Sequence, residues 1–354
     1  MYTPQTRFTA RPRVSEYGRG RAFDATGAEG MAFLVGMLEQ FDPDIVEPLH
    51  IVPEDGYARD IPVKTGGGFP EWVSAYAANY KSTGSQLSGL QANDATEIPM
   101  IQFDIDKGLW KVIPWAMGMK VGFIELEKLN QAKSTGLPPP ISLEERYATG
   151  IKTILDIDLN RLTYIGTLGL PGLLNNPNAP ELTFPAGASG HTTWRTKTPV
   201  EILNDVNLLL NTVMANTAYS ISMGMPDRLL VPWTQWSYLT QPFTLGGVAG
   251  FENIKDYIER SCVANAKTNG KFKILPVPED WVQGAGAGSP PTDRCLCYRN
   301  HKDDVQLWIP TLLKRGMTVP VMDAAGGGWV TSYVACMSQV IFKRTQTMIY
   351  GDGL

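Results

Sequence analysis

Between Arg59 and Val121 the sequence alternates with a period of two, and this stretch constrains the fold more than any other. Trp72, Ser74, Tyr76, Ala78 and Tyr80 alternate with smaller residues, and Ile101, Phe103 and Ile105 alternate with Gln102, Asp104 and Asp106. That is the side-chain period of long β-strands. Gly66, Gly67 and Gly68 interrupt the first part as a bending loop, and Asp106, Lys107 and Gly108 predict a turn before the strand-like Leu109 to Trp115. No strong long helix precedes or accompanies this excursion, so it has little core of its own. Two-stranded ribbons are marginal in water. The excursion must lean on something else.

The 354 residues are 43% hydrophobic and 19% charged, enough to bury one large core or two smaller ones, which excludes disorder as the main state. Lys plus Arg is 31 against 35 for Asp plus Glu, a formal net charge of -4. The chain therefore lacks the global basic excess of a dedicated nucleic-acid reader, and any polyanion contact is local. With Gly at 35 and Pro at 26, a plain helical bundle is not expected. Cys262, Cys295, Cys297 and Cys336 are too scattered to staple the chain, which fits free thiols in a reducing cytoplasm. Met1 to Ala10 lacks the apolar run of a signal peptide, and no removed leader is expected. Ala324 to Phe342 has the length of a membrane span, but its glycines, serines and alternating apolar residues read as strand. No membrane partner is expected.

Residues 1–22 carry Arg7, Arg11, Arg13, Arg19 and Arg21 against Glu16 alone, 5 minus 1 or +4. This arm reads either as a solvated terminus or as a strap on a partner or on phosphates. Thr26 and Glu29 have capping-box spacing, and Met31, Leu34, Val35, Leu38 and Phe41 follow at helical intervals. A second helix is expected over 123–133, ended by Pro138, Pro139 and Pro140. Ser142 and Glu145 form another capping box, behind which Leu143, Tyr147, Ile151, Leu155, Leu159, Leu162 and Ile165 define a single apolar stripe. This is the longest expected helix, and Gly166, Gly169, Pro171 and Gly172 stop it. Residues 173–193 read as an irregular loop. Thr198, Pro199 and Glu201 open a further helix whose face holds Ile202, Val206, Leu209, Leu210, Val213, Met214 and Thr217. Short strands and helices then alternate through residues 229–309, predicting an α/β domain. Residues 284–291 are expected to be a mobile tip. Strands over 318–321 and 330–347 close the chain.

The chemistry-bearing residues form no recognised constellation. His50, His191 and His301 lack metal-ligand spacing to any other ligand. Cys295 and Cys297 share a strand face but make only half a metal site, and a reduced buried pair is the simpler reading. Asp104 and Asp106 also share a face, which suggests a carboxylate dyad; a solvated hairpin end accounts for them more simply. Asp156 and Asp158 lie on different sides of their helix. No glycine run places a phosphate loop, and no G-x-S-x-G elbow is present. No catalytic residue, metal ligand or cofactor is assigned.

This element order, together with Gly169-Leu170-Pro171-Gly172-Leu173-Leu174-Asn175-Asn176-Pro177, Trp194, Thr198-Pro199, Ile202 and Asp205, resembles the major capsid proteins of tailed bacteriophages. Residues 226–232 (Pro-Asp-Arg-Leu-Leu-Val-Pro), Arg315-Gly316 and Val319-Pro320 fit the same branch. The likeness runs from about Arg59 to the end. It implies an α+β, Hong Kong 97-like capsid fold: an N-terminal arm and short helix over 1–58, an extended β loop over 59–108, a peripheral domain over 109–195 and 311–354 with its spine helix at 142–166, and an α/β axial domain over 196–310. The resemblance further implies a non-enzymatic protein. It would assemble with itself as pentamers and hexamers into the icosahedral shell around a double-stranded DNA genome, in a virion made in the bacterial host cytoplasm.

In that reading Trp72, Tyr76 and Tyr80 meet a neighbouring subunit, and Arg7, Arg11, Arg13, Arg19 and Arg21 meet DNA or a neighbour. Those aromatics covering the subunit's own helices is the other reading. Scaffolding, portal and decoration proteins are further partners the family brings. No Lys and Asn pair reads as a cross-linking motif, so no autocatalytic bond is expected. An encapsulin-like nanocompartment shell and a soluble enzyme or binding module are the alternatives.

Overall fold

The computed structural model describes residues 49–82, 100–134, 143–245, 248–268, 271–286, 292–322 and 327–354. The arginine arm, the Met31 to Phe41 helix and the Ser142 cap lie outside these residues, as does most of the expected tip at 284–291. After an entry segment with a short helix at Tyr57–Asp60, the elements in chain order begin with β1 (Val63–Thr65), β2 (Trp72–Ser82), β3 (Ile101–Gly122), α1 (Phe123–Ser134) and α2 (Leu143–Tyr164). Next come β4 (Glu181–Thr183), α3 (Pro199–Asn216), β5 (Arg228–Pro232), α4 (Trp233–Leu239), α5 (Ile254–Ser261), β6 (Lys273–Val277) and β7 (Arg294–Tyr298). The chain ends with β8 (Val305–Ile309), β9 (Thr311–Val321), β10 (Gly328–Ser338), β11 (Ile341–Phe342) and β12 (Met348–Asp352).

Two cores share one sheet. Strands β6, β5, β7, β12 and β4 pair in that order, β6 with β5 and β12 with β4 in parallel, the rest antiparallel. Because side chains alternate across a strand, Leu230, Leu296, Tyr298, Met348 and Tyr350 enter one core with Leu155, Leu159 and Leu162 of α2. Leu229, Val231, Cys295, Cys297 and Ile349 enter the other, with Ile202, Val206, Leu209 and Leu210 of α3 and Ile258 of α5. Buried on both faces, β7 and β12 read as continuous rather than alternating in the sequence.

Ile151, Leu155, Leu159 and Leu162 of the expected stripe on α2 are buried, and Tyr147 and Ile165 are partly buried. Helix α3 begins as its residues dictate: Thr198 Oγ1 accepts from the Glu201 amide at 3.4 Å while Glu201 Oε2 accepts from the Thr198 amide at 2.7 Å, closing the capping box. Hydrogen bonds from the Ala188 and Thr198 amides hold the Glu201 carboxyl below the usual carboxylate range.

The motif residues hold the loops down. Asn175 Oδ1 accepts from the Gly172 amide at 2.6 Å, and the Tyr350 hydroxyl accepts from the Asn176 amide and donates to the Leu173 carbonyl, both at 2.8 Å. Trp194 Nε1 and Lys197 Nζ both donate to Asp205 Oδ2, at 3.0 and 2.6 Å, inside the helical core. Burial pushes the Asp205 carboxyl up while Lys197 and Trp194 pull it back; the net direction is upward. A second knot ties the entry segment to the sheet. Asp60, fully buried, pairs with Arg59 at 2.7 Å and accepts from the Tyr164 hydroxyl, and its carbonyl accepts from the Tyr298 hydroxyl at 2.6 Å.

All four cysteines are free and buried. Cys295 and Cys297 do share a face, and burial raises their thiols far above the ordinary range. The thiolate is the reactive form, so a thiol reagent at pH 8 is expected to leave the folded subunit unmodified and to label all four after denaturation. Stoichiometric labelling of folded protein would contradict this packing.

Besides strand β4 (Glu181–Thr183), which lies inside the stretch read as an irregular loop over 173–193, the structure corrects two expectations. There is no turn at Asp106–Gly108: β3 runs unbroken for 22 residues, with Ala77, Tyr76 and Ala75 of β2 directly opposite Asp106, Lys107 and Gly108. The partner strand satisfies the backbone that a turn would have diverted. Gly108 instead makes room for the Trp110 indole, whose Cη2 would lie 2.3 Å from a Cβ there. The second correction is the strand expected over 330–347, which breaks after Ser338. Here the chain leaves the sheet of β9, β10, β3 and β2, in that order, for the sheet of β1, β8 and β11.

Candidate functional site

Strand β3 is about 70 Å long at the rise of an extended chain, and it does two jobs. Val112–Gly122 pairs with β10 inside the body of the subunit, while from Ile101 to Trp110 the only partner strand among the described residues is β2. The sharp entry into β2 comes from Gly66, Gly67 and Gly68, whose φ values of 96°, 132° and 76° fall where side chains are disfavoured. At the ribbon's root Val73 and Val112 are buried with Cys336 and Ile341, and Trp110 packs beside them. Farther out the same face holds Ala75, Gly108, Ala77, Asp106 and Asp104.

The other face is mostly apolar, with Ser74, Ser82, Lys107 and Lys111 among its residues. Register places Trp72 opposite Lys111, Ser74 opposite Leu109, Tyr76 opposite Lys107, Ala78 opposite Ile105, Tyr80 opposite Phe103 and Ser82 opposite Ile101. Trp72, Tyr76, Tyr80, Ile101, Phe103, Ile105 and Leu109 are 53–74% exposed. Tyr80 and Phe103 set their ring centroids 5.4 Å apart, and the Lys107 ammonium lies 6.0 Å from the centre of the Tyr76 ring. Exposed, mostly apolar strips of this size are the kind of surface that proteins use for contacts. The three expected aromatics thus fall together, on the face turned away from the subunit's own packed root. Ile101, Phe103, Ile105 and Leu109 complete the strip; their alternation is plain in the sequence, but only the register puts them beside the tyrosines.

No other part of the described structure assembles chemistry. Asp104 and Asp106 do share a face, but they are exposed in mid-strand rather than at a hairpin end. Asp158 accepts from Trp115 Nε1 at 2.8 Å, whereas Asp156 is buried. Among the described residues no three His, Cys, Asp or Glu side chains are grouped to hold a metal. A cleft of about 570 Å³ lies between the entry segment and the end of β6, beside Trp233 and Trp281. Its Arg59 is already engaged by Asp60. None of the described helices is long and apolar enough to cross a membrane.

A family model described as major capsid protein matches residues 88–354. The chain belongs to the major capsid protein family. Curated proteins gave no match to the sequence. Solved structures similar to this major capsid protein include the capsid of Myoviridae phage XM1, at 14% identity and a TM-score of 0.65, covering 95% of this chain and all of that one. The capsid of a native GTA particle is similar at 11% identity and a TM-score of 0.58, covering 94% and 99%. A Microbacterium phage Oxtober96 chain is similar at 10% identity and 0.54, covering 93% and 99%. At these identities the structural likeness is one of fold: an α+β, Hong Kong 97-like phage capsid fold. The protein is a capsid shell subunit. Strand β2, half of the apolar ribbon, precedes the matched region.

Proposed function

We propose that this major capsid protein closes with copies of itself, as pentamers and hexamers, into the icosahedral shell around the double-stranded DNA of a tailed bacteriophage, and that the ribbon's apolar face is laid on a neighbouring subunit. The observation that carries the reading is the strip from Trp72 to Tyr80 and from Ile101 to Leu109, exposed on one face of a ribbon rooted in its own subunit by the other. Covering that strip yields about 25 cal/mol for each Å² of apolar surface removed from water. A contact between two different surfaces repeats from copy to copy and closes into rings.

In this reading the extended loop is the ribbon, α2 is the spine of the peripheral domain, and the sheet and helices within 196–310 form the axial domain. Arg7, Arg11, Arg13, Arg19 and Arg21 meet packaged DNA or a neighbouring copy. Scaffolding, portal and decoration proteins are further partners, the host cytoplasm is the site of synthesis, and catalysis has no part.

Negative-stain microscopy of the purified chain at two concentrations tests the proposal. Closed shells at the higher concentration are expected. Particles recovered from infected cells are expected to hold nuclease-protected DNA whose release after opening rises steeply with salt, since about 0.9 counterions accompany each phosphate neutralised. A monomer at all concentrations, or shells filled with protein cargo in place of DNA, would overturn it.

A further inference from the structure

We propose that an extended segment of a neighbouring copy pairs, backbone to backbone, along the outer edge of β2, adding a strand to the ribbon. This deepens the assembly reading above and rests on it. Among the described residues the ribbon has two open edges, and the hydrogen bonds fix which groups face them. The Val112 amide donates to the Glu71 carbonyl at 3.0 Å, which makes Glu71 and Val112 a hydrogen-bonded pair. Register is unbroken from Trp72 to Ser82, and in an antiparallel ladder hydrogen-bonded and open pairs alternate. The amides and carbonyls of Trp72, Ser74, Tyr76, Ala78 and Tyr80 therefore point away from β3. The Gln339 amide, donating to the Lys111 carbonyl from the other side at 3.1 Å, agrees with this phase.

Sheet edges that must stay unpaired carry charges, glycine, proline, bulges or short strands. Elsewhere among the described residues those devices are present. Edge strand β9 holds Lys314, Arg315, Gly316 and Pro320 and two register shifts. The free edge of β3 runs through Asp104, Asp106, Lys107 and Gly108. Strands β1, β4 and β11 have two or three residues, and β6 has five with Pro276 among them. From Trp72 to Tyr80, β2 has no charge, glycine, proline or bulge. It is a long regular edge left ready to accept a strand. The occupant is a second copy because the family assembles into shells of copies, and because the outward backbone belongs to the residues that carry the apolar strip, so that one docking event satisfies both.

The test compares Ala78→Pro with Ala78→Val. Proline removes the outward amide yet leaves the β2–β3 ladder intact, as edge positions tolerate; valine keeps the amide. Both are expected to unfold at the temperature of the unaltered subunit. Ala78→Pro is expected to raise the concentration needed for shells by at least about fivefold relative to Ala78→Val, the factor one lost hydrogen bond gives; both variants enlarge the side chain on the strip, so the difference between them reads the amide. In shells of unaltered protein the Ser74, Tyr76 and Ala78 amides are expected to exchange with deuterium about 100-fold more slowly than in the free subunit. Normal assembly of Ala78→Pro, equal loss in both variants, or outward amides exchanging at the free-subunit rate would overturn the added strand. If those amides stay open while the Tyr76 and Tyr80 rings become covered, the strand is lost and the assembly reading stands. Failure of the unaltered chain to form shells removes both.

Discussion

A subunit with Tyr76→Asp and Tyr80→Asp is expected to remain folded and soluble and to form no shells at concentrations where the unaltered chain does. Both rings are more than two-thirds exposed in the subunit, so replacing them should change its unfolding free energy by no more than about 0.5 kcal/mol. In the shell each ring moves out of water, worth about 2 kcal/mol. Losing two rings raises the assembly concentration by on the order of 1,000-fold, and burying two carboxylates adds to that. Sedimentation and microscopy read the effect. Intact shells from this variant would mean that the strip faces solvent in the particle.

The largest effect on the subunit itself is expected from Lys197→Met. Lys197 and Asp205 are nearly fully buried, 2.6 Å apart, in the core behind α3. Removing the ammonium leaves an uncompensated carboxylate there, which costs about 3–5 kcal/mol and lowers the melting temperature by on the order of 10 °C. The sign of its pH dependence follows from the direction of the Asp205 shift. Burial already raises that carboxyl above its ordinary value, and without Lys197 it rises further, so the folded state binds the proton more tightly than the unfolded chain. The deficit should be smallest below the ordinary carboxylate pKa, about 3.9, and grow as the pH rises through the folded-state value. A deficit that shrinks toward neutral pH would show that Lys197 is not the group compensating Asp205.

Much of this was legible in the residues because local rules and tertiary packing agree there. The α2 stripe, the Thr198–Glu201 cap and the alternation around Trp72 each follow from one period or one short motif. The turn read at Asp106–Gly108 failed because a partner strand eleven residues long outweighs the preference of three residues. Gly108 answers to the neighbouring Trp110 indole rather than to chain reversal. Lys197 as the partner of Asp205 was hidden because it precedes the helix, off the face that helical spacing reads. The apolar strip was half visible: alternation names its residues, but only register shows that seven of them share the side the root leaves open. The open edge of β2 depends on hydrogen-bond phase, which no residue pattern encodes.

The most direct test of the central claim is an electron cryomicroscopy reconstruction, at side-chain resolution, of shells grown from the purified chain. The Trp72, Tyr76, Tyr80 and Phe103 rings are predicted to lie against a neighbouring copy. A closed shell in which those four rings face solvent would contradict the account.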